Sequence, residues 1–140
     1  MNTNPEQPLA YSESEDRLSA AALLNFFGIT SEWALSSKQQ ITLLGNPAKS
    51  SFYRMKDFAD GKQAKPIRLN QDTLERVSYL MGIYKAINIL LPNSQQAAEW
   101  IKKPNKAPLF SGRSALEKML GGRVVDLSDV RRYLDGERGH

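Results

Sequence analysis

Residues 43–58, LLGNPAKSSFYRMKDF, hold the densest structural punctuation in the chain. Gly45 is a natural left-handed stop for the helix before it, Asn46 is able to cap, and Pro47 is preset for a first helical position. Phe52, Met55 and Phe58 then recur at i, i+3 and i+6, which turns Lys49, Ser50, Tyr53, Arg54 and Lys56 outward. Upstream, Ser36 or Ser37 caps a short helix that carries Ile41, Leu43 and Leu44. Two short helices around a tight glycine turn predict a helix-turn-helix.

On its N-terminal side, Leu23, Phe26, Phe27, Trp33 and Ala34 predict one helix from Leu18 to about Leu35, with a break at Gly28 as the alternative. Residues 1–16 hold two prolines and four carboxylates and few large apolar groups, too little burial to offset their ordering entropy, so they read as a disordered tail. On the C-terminal side, 60–69 read as a basic loop, and Asn70 caps a long helix over about 71–91 with Asp72 in its first turn. Its apolar set, Leu74, Val77, Leu80, Met81, Ile83, Tyr84, Ile87, Leu90 and Leu91, covers more than one face. That helix is therefore the expected scaffold for both halves, and Pro92 ends it.

Beyond Pro92, Ser94 caps a short helix with Ala97, Trp100 and Ile101, closed by Pro104. The run 104–113, PNKAPLFSGR, reads as a loop. Ser114 and Glu117 form a capping box for a helix over 115–120, which Gly121 and Gly122 close. The stretch around Val124 is the one place that reads as a strand. Asp126 or Ser128 caps a last helix with Val130, Tyr133 and Leu134 inward, ending before Gly136.

The composition excludes several functions. Among 140 residues there is no cysteine, and the single histidine is His140. Thiol nucleophiles, disulfides, cysteine zinc sites and a Ser-His-Asp triad are thereby removed. The carboxylates Glu75, Glu99, Glu117, Asp126 and Asp129 are spread among caps and helix turns and give no pair for acid-base work, and no phosphate-cradling loop appears, so no enzyme and no cofactor is expected. No apolar run approaches the roughly 20 residues of a membrane span, and MNTNPEQPLA lacks the basic and apolar regions of a secretory signal, so a cytoplasmic protein without a membrane partner is expected.

The net charge is +4, and its distribution says more than the sum. Lys49, Arg54, Lys56, Lys62, Lys65 and Arg68 stand against Asp57 and Asp60 in the segment that holds the helix-turn-helix. A solvated surface stretch is the blander reading of such cations. Their coincidence with the turn favours DNA, with Lys49, Ser50, Tyr53, Arg54 and Lys56 on the reading helix, Lys62 on phosphate, and Arg54 toward a guanine edge. One such unit reads few base pairs, so a dimer or larger assembly is expected. Trp100, Phe110, Arg113, Arg123, Arg131, Arg132 and Tyr133 in the last third are residue types of interface hot spots, although Trp100 and Tyr133 also sit at core spacings.

The segments LLGNPAKSSFYRMK, LERVSYLMGIYKAINILLP, AAEWIKKPN and SGRSALEKMLGGRVVDLSDVRRYLD together resemble the Xre/MbcA/ParS antitoxin family over about Leu18 to Asp135. The turn 45–49, with Pro47 inside it, and Gly28 depart from the family's pattern. The resemblance implies an all-α fold: an Xre-like helix-turn-helix domain over 17–69, a connecting helix over 70–92 and a C-terminal toxin-binding domain over 93–140. It implies operator DNA and a cognate RES-domain toxin, which consumes NAD or uses it for ADP-ribosylation, as partners, in a homodimer or a larger hetero-oligomer with toxin. Carried over by position, the toxin contacts are Gly112, Arg113 and Ser114 in the loop, Arg123, and Arg131, Arg132 and Tyr133 in the last helix. The alternative is a stand-alone regulator whose C-terminal helices dimerise.

Overall fold

A computed structural model describes the backbone of residues 6–139 and the side chains of 13–139; part of the expected tail (1–5) and His140 lie outside the described residues. Seven helices follow in order: α1 Glu6–Glu32, α2 Ser37–Leu43, α3 Lys49–Ala59, α4 Gln71–Leu90, α5 Ser94–Trp100, α6 Ala115–Met119 and α7 Val124–Arg138. The described residues form no strand, only an isolated antiparallel bridge between Pro104 and Ser114, so the fold is all-α as expected.

Helix α4 organises the molecule. Its buried residues Val77, Leu80, Ile83, Ala86 and Ile87 are shared between α7, its most extensive neighbour, and α1. Helix α7 runs parallel to it. The Arg76 guanidinium donates to the Gly122 carbonyl at 2.9 Å, the Arg131 guanidinium lies on Gly82, and Leu90 and Leu91 share a groove with Leu134 and Glu137. A side chain at Gly82 would collide with Arg131, so the glycine is what lets a long cation lie flat across α4. The chain between, α5 and α6, returns from the end of α4 to its start, pinned where the Leu116 N–H donates to the Ile101 carbonyl at 2.8 Å. One apolar core runs from Leu23, Phe26 and Trp33 through α4 to Val130 and Leu134.

Polar bonds set the helix-turn-helix on this frame. Gln40 donates to the Thr30 hydroxyl at 2.9 Å, and Thr30 donates to the Phe26 carbonyl at 2.8 Å, fixing α2 on α1 within the core. Phe27 meets Phe52 at 5.8 Å, which seats α3 on the same helix. Ser36 with Gln39 and Ser114 with Glu117 both form capping boxes, and Asn70 accepts from the Thr73 N–H.

Several local expectations are corrected. The tail does not extend to residue 16: α1 begins at Glu6, and Arg68 pairs with Glu15 at 3.0 Å and Asp16 at 3.3 Å, partners that the carboxylates of 1–16 lacked when read alone. The single helix expected across Gly28 is borne out: the glycine causes no break, because the stripe around it, Phe26, Phe27 and Ile29, is buried and holds the helix in phase. Asn46 does not cap α3. It sits at φ +59 after Gly45 at φ +91 and donates its N–H to the Ile41 carbonyl, so it is used in stopping α2, and α3 starts at Lys49 without a side-chain cap. Asn93, not Ser94, caps α5. Val124 is helical and not extended, because the Asp126 carboxylate accepts the Arg123 N–H and starts α7 two residues ahead of Asp126; α7 then passes through Gly136 to Arg138.

If α4 is the scaffold, truncations on its two sides should differ sharply. Ile83→Ala, at a fully buried position, should lower the free energy of urea unfolding by about 3 kcal/mol. Met81→Ala, on the same helix but exposed, should cost less than about 1 kcal/mol.

Candidate interfaces for duplex and protein

On α3, Phe52 and Met55 are buried and Lys49, Ser50, Tyr53 and Arg54 share an exposed face. Phe52 holds the Tyr53 ring edge-on at 5.2 Å, so the tyrosine body is braced while its face stays in solvent. Lys56 is half-buried to one side and Lys62 is exposed just past the end of the helix. Neither these two nor Lys49 and Arg54 join an ion pair among the described residues. Four of the six residues expected on DNA are therefore gathered on one face, and their cations are not neutralised by the protein itself.

The turn before α3 is fixed from behind. The Arg76 side chain, mostly buried, donates to Asp72 at 2.8 Å and lies under Gly45, where a Cβ would stand 2.8 Å from its Nε. With its other bond to Gly122, this one guanidinium touches the helix-turn-helix turn, the scaffold and the α6–α7 turn. The Asp72–Arg76 pair is a local i,i+4 spacing, but nothing in it marks the bond to Gly122, 46 positions away.

In the last third, the expected contact residues divide. Gly112, at φ +87, and Arg113 stand exposed on the loop before α6. Ser114 is buried, and its hydroxyl accepts the Glu117 N–H at 3.0 Å, so its work is to cap α6. Arg123 is exposed at 71% yet bonded to Asp126 at 3.0 Å, and Arg132, at 79%, lies 4.0 Å from Asp129. Arg131 is folded onto Gly82 and paired with Asp135 at 3.3 Å. Tyr133 is half-buried and meets Phe110 edge-on at 5.1 Å, while Phe110 meets Trp100 at 6.2 Å. The aromatic trio is thus largely internal support, with one side of Trp100 and Tyr133 lining an apolar groove of about 290 Å³ beside Ile87, Leu90, Leu91 and Leu134.

Asp126 holds the entry to α7. The carboxylate is 3% exposed and accepts from Lys118 at 3.0 Å, from the Arg123 guanidinium and from the Arg123 N–H. Burial pushes it up, but the hydrogen bonds from Arg123 and Lys118 prevail and hold it at about 2. Gly121 is required beside it, because a side chain there would strike the carboxylate. Lys118 is raised in turn by its hydrogen bond to Asp126. Among the described residues no group of carboxylates and histidines is placed to hold a metal ion, and no helix is long and apolar enough to cross a membrane.

Residues 86–139 match a family model described as the antitoxin Xre/MbcA/ParS C-terminal toxin-binding domain. The matched segment begins in the last turns of α4 and takes in α5, the loop, α6 and α7. A protein of Sinorhizobium fredii (strain NBRC 101917 / NGR234), called "Uncharacterized protein y4oB", is 45% identical over 119 residues, covering 85% of this chain and 85% of its own. No solved structure matches the chain.

The Asp126 clip has a testable pH signature. Its folded pKa lies below its ordinary value of 3.8, so it adds stability above that value and loses it as pH falls toward the folded pKa. Asp126→Asn should therefore cost about 2 kcal/mol at neutral pH, and about half of that difference from the parent should be gone by about pH 3. Urea unfolding of both proteins at the two pH values measures it.

Proposed function

This chain belongs to the Xre/MbcA/ParS antitoxin family, and we propose that it is the antitoxin of a toxin–antitoxin module, holding a RES-domain toxin inert by covering its active site and repressing its own operon through α3. It acts in the cytoplasm by binding and not by catalysis, as a homodimer or within a larger complex with toxin. The observation that carries the toxin reading is the coincidence of the matched domain with a unit tied to α4 along its whole length. A rigid unit of that kind is suited to blocking a cleft, since little order has to be gained on binding. The exposed, unpaired cations of Lys49 and Arg54 on one face of α3, with Lys62 nearby, support the DNA reading: cations left free by the protein are available to phosphate and base edges.

A second reading, the stand-alone regulator that dimerises through its C-terminal helices, draws on the groove between α4 and α7, where Leu90 remains 37% exposed. Purification from the native cell separates the two. A stoichiometric toxin partner supports the antitoxin, and a clean homodimer on operator DNA supports the regulator.

Two outcomes test the proposal. Coexpression with the protein encoded beside it should restore growth, and Arg54→Ala should leave that rescue intact while weakening the operator. At the operator, Arg54→Ala should cost about 1–3 kcal/mol more than it costs on random duplex. Lys62→Ala should weaken both duplexes alike and reduce the salt slope by about one. Gel-shift titrations at several salt concentrations measure both, and equal losses from Arg54→Ala on the two duplexes would remove Arg54 as a base reader.

A further inference from the structure

The cations of the C-terminal unit are not equivalent. Lys103 faces Glu99 at 3.9 Å, Lys118 and Arg123 hold Asp126, Arg131 and Arg138 hold Asp135, and Arg132 lies near Asp129. Among the described residues of this unit, that leaves Lys102, Lys106 and Arg113 exposed and without a carboxylate partner. All three fall in residues 102–113, KKPNKAPLFSGR, which carry four cations and no carboxylate.

This segment is long for a loop without a helix of its own, yet it is bound to itself. The Asn105 N–H donates to the Arg113 carbonyl at 2.9 Å, the Asn105 carbonyl accepts the Gly112 N–H at 2.9 Å, and the Asn105 side chain accepts the Ala107 N–H at 2.9 Å. Phe110, 2% exposed, pins the loop to Trp100 and Tyr133. Beside it, Ser111 is held at φ +51, a left-handed conformation that a serine adopts only at a cost in energy. Three free cations are therefore presented from a fixed backbone, which lowers the entropy lost when they dock.

Position decides the class of partner. The helix-turn-helix turn rests on Arg76, near the start of α4, whereas the Phe110–Tyr133 contact adjoins the groove at Leu90 and Leu91. At 1.5 Å per residue the two ends stand roughly 20 Å apart along α4. A duplex on α3 leaves the loop open. With Phe110 buried and Trp100 packed against it, the loop also offers no aromatic platform on which bases could stack.

We propose that the loop 102–113 is a docking surface for an acidic protein rim, with Lys102 and Lys106 steering the approach and Arg113 closing a bidentate pair with a carboxylate of the partner. The inference rests on the toxin-binding reading and adds the chemistry of the contact: the toxin's opening is lined by carboxylates where this loop meets it.

The test uses the full chain and the purified protein encoded beside it. Association is followed by stopped flow at several salt concentrations for the parent, for Lys102→Glu/Lys106→Glu/Arg113→Glu, and for Arg17→Glu/Lys38→Glu/Lys85→Glu, which changes net charge equally at exposed sites elsewhere. The loop variant should associate at least tenfold more slowly with a flattened salt dependence, and the control should follow the parent. Far-UV circular dichroism and melting should be unchanged, and Lys106→Gln/Arg113→Gln gives the same direction with less perturbation. Equal rates for parent and loop variant would overturn the proposal while leaving the antitoxin reading intact, and so would a loss of duplex binding with toxin association retained. A parent chain that binds no co-encoded protein would overturn both.

Discussion

The parallel contact of α7 with α4 places the C-terminal half of the molecule, because Val77, Leu80, Ile83, Ala86 and Ile87 leave water only when α7 and α1 both lie against α4. Burying each large aliphatic side chain stabilises by about 1.5–3 kcal/mol, a large share of the few kcal/mol by which a domain of this size is stable. Position along α4 then becomes position in function. The start of the helix carries Arg76 and the turn before α3, and its end carries the groove and the aromatic support of the loop.

Side-chain electrostatics divides the two surfaces from the frame. Asp126 and Asp135 take up Lys118, Arg123, Arg131 and Arg138 to define and brace α7, so those cations serve the fold. The cations of α3 and of the loop 102–113 are held out into solvent. Exposed pairs contribute little to stability, so an unpaired cation costs the fold almost nothing and remains available to a partner. Arg76 links the turn before α3 to the turn before α7, since one guanidinium touches both.

Much of this was legible in residue pattern. The helix-turn-helix, the cap at Asn70, the long apolar α4 and the Ser114–Glu117 box all follow from local chemistry, and local chemistry is what a sequence displays. The failures have two causes, a pairing across the chain and local competition between neighbouring helix ends. The carboxylates at the end of the expected tail meet Arg68, fifty-odd residues away, Asn46 was drawn into the stop of α2, and the start of α7 was moved by a carboxylate reaching back to Arg123. Among the expected contact residues, composition could not tell paired from unpaired arginines: Arg113 stands free, Arg131 is folded onto Gly82, and Ser114 is spent on a cap. Lys102 and Lys106 were overlooked, although the acid-free run that holds them is plain in the sequence.

Hydrogen exchange of the full chain, alone and with the protein encoded beside it, tests most directly whether the C-terminal unit is what closes the toxin. Slowed exchange concentrated in residues 102–114 and on the exposed side of α7, with α3 unchanged, is the predicted result. Protection confined to α3, or no protection anywhere in a complex that demonstrably forms, would contradict the account.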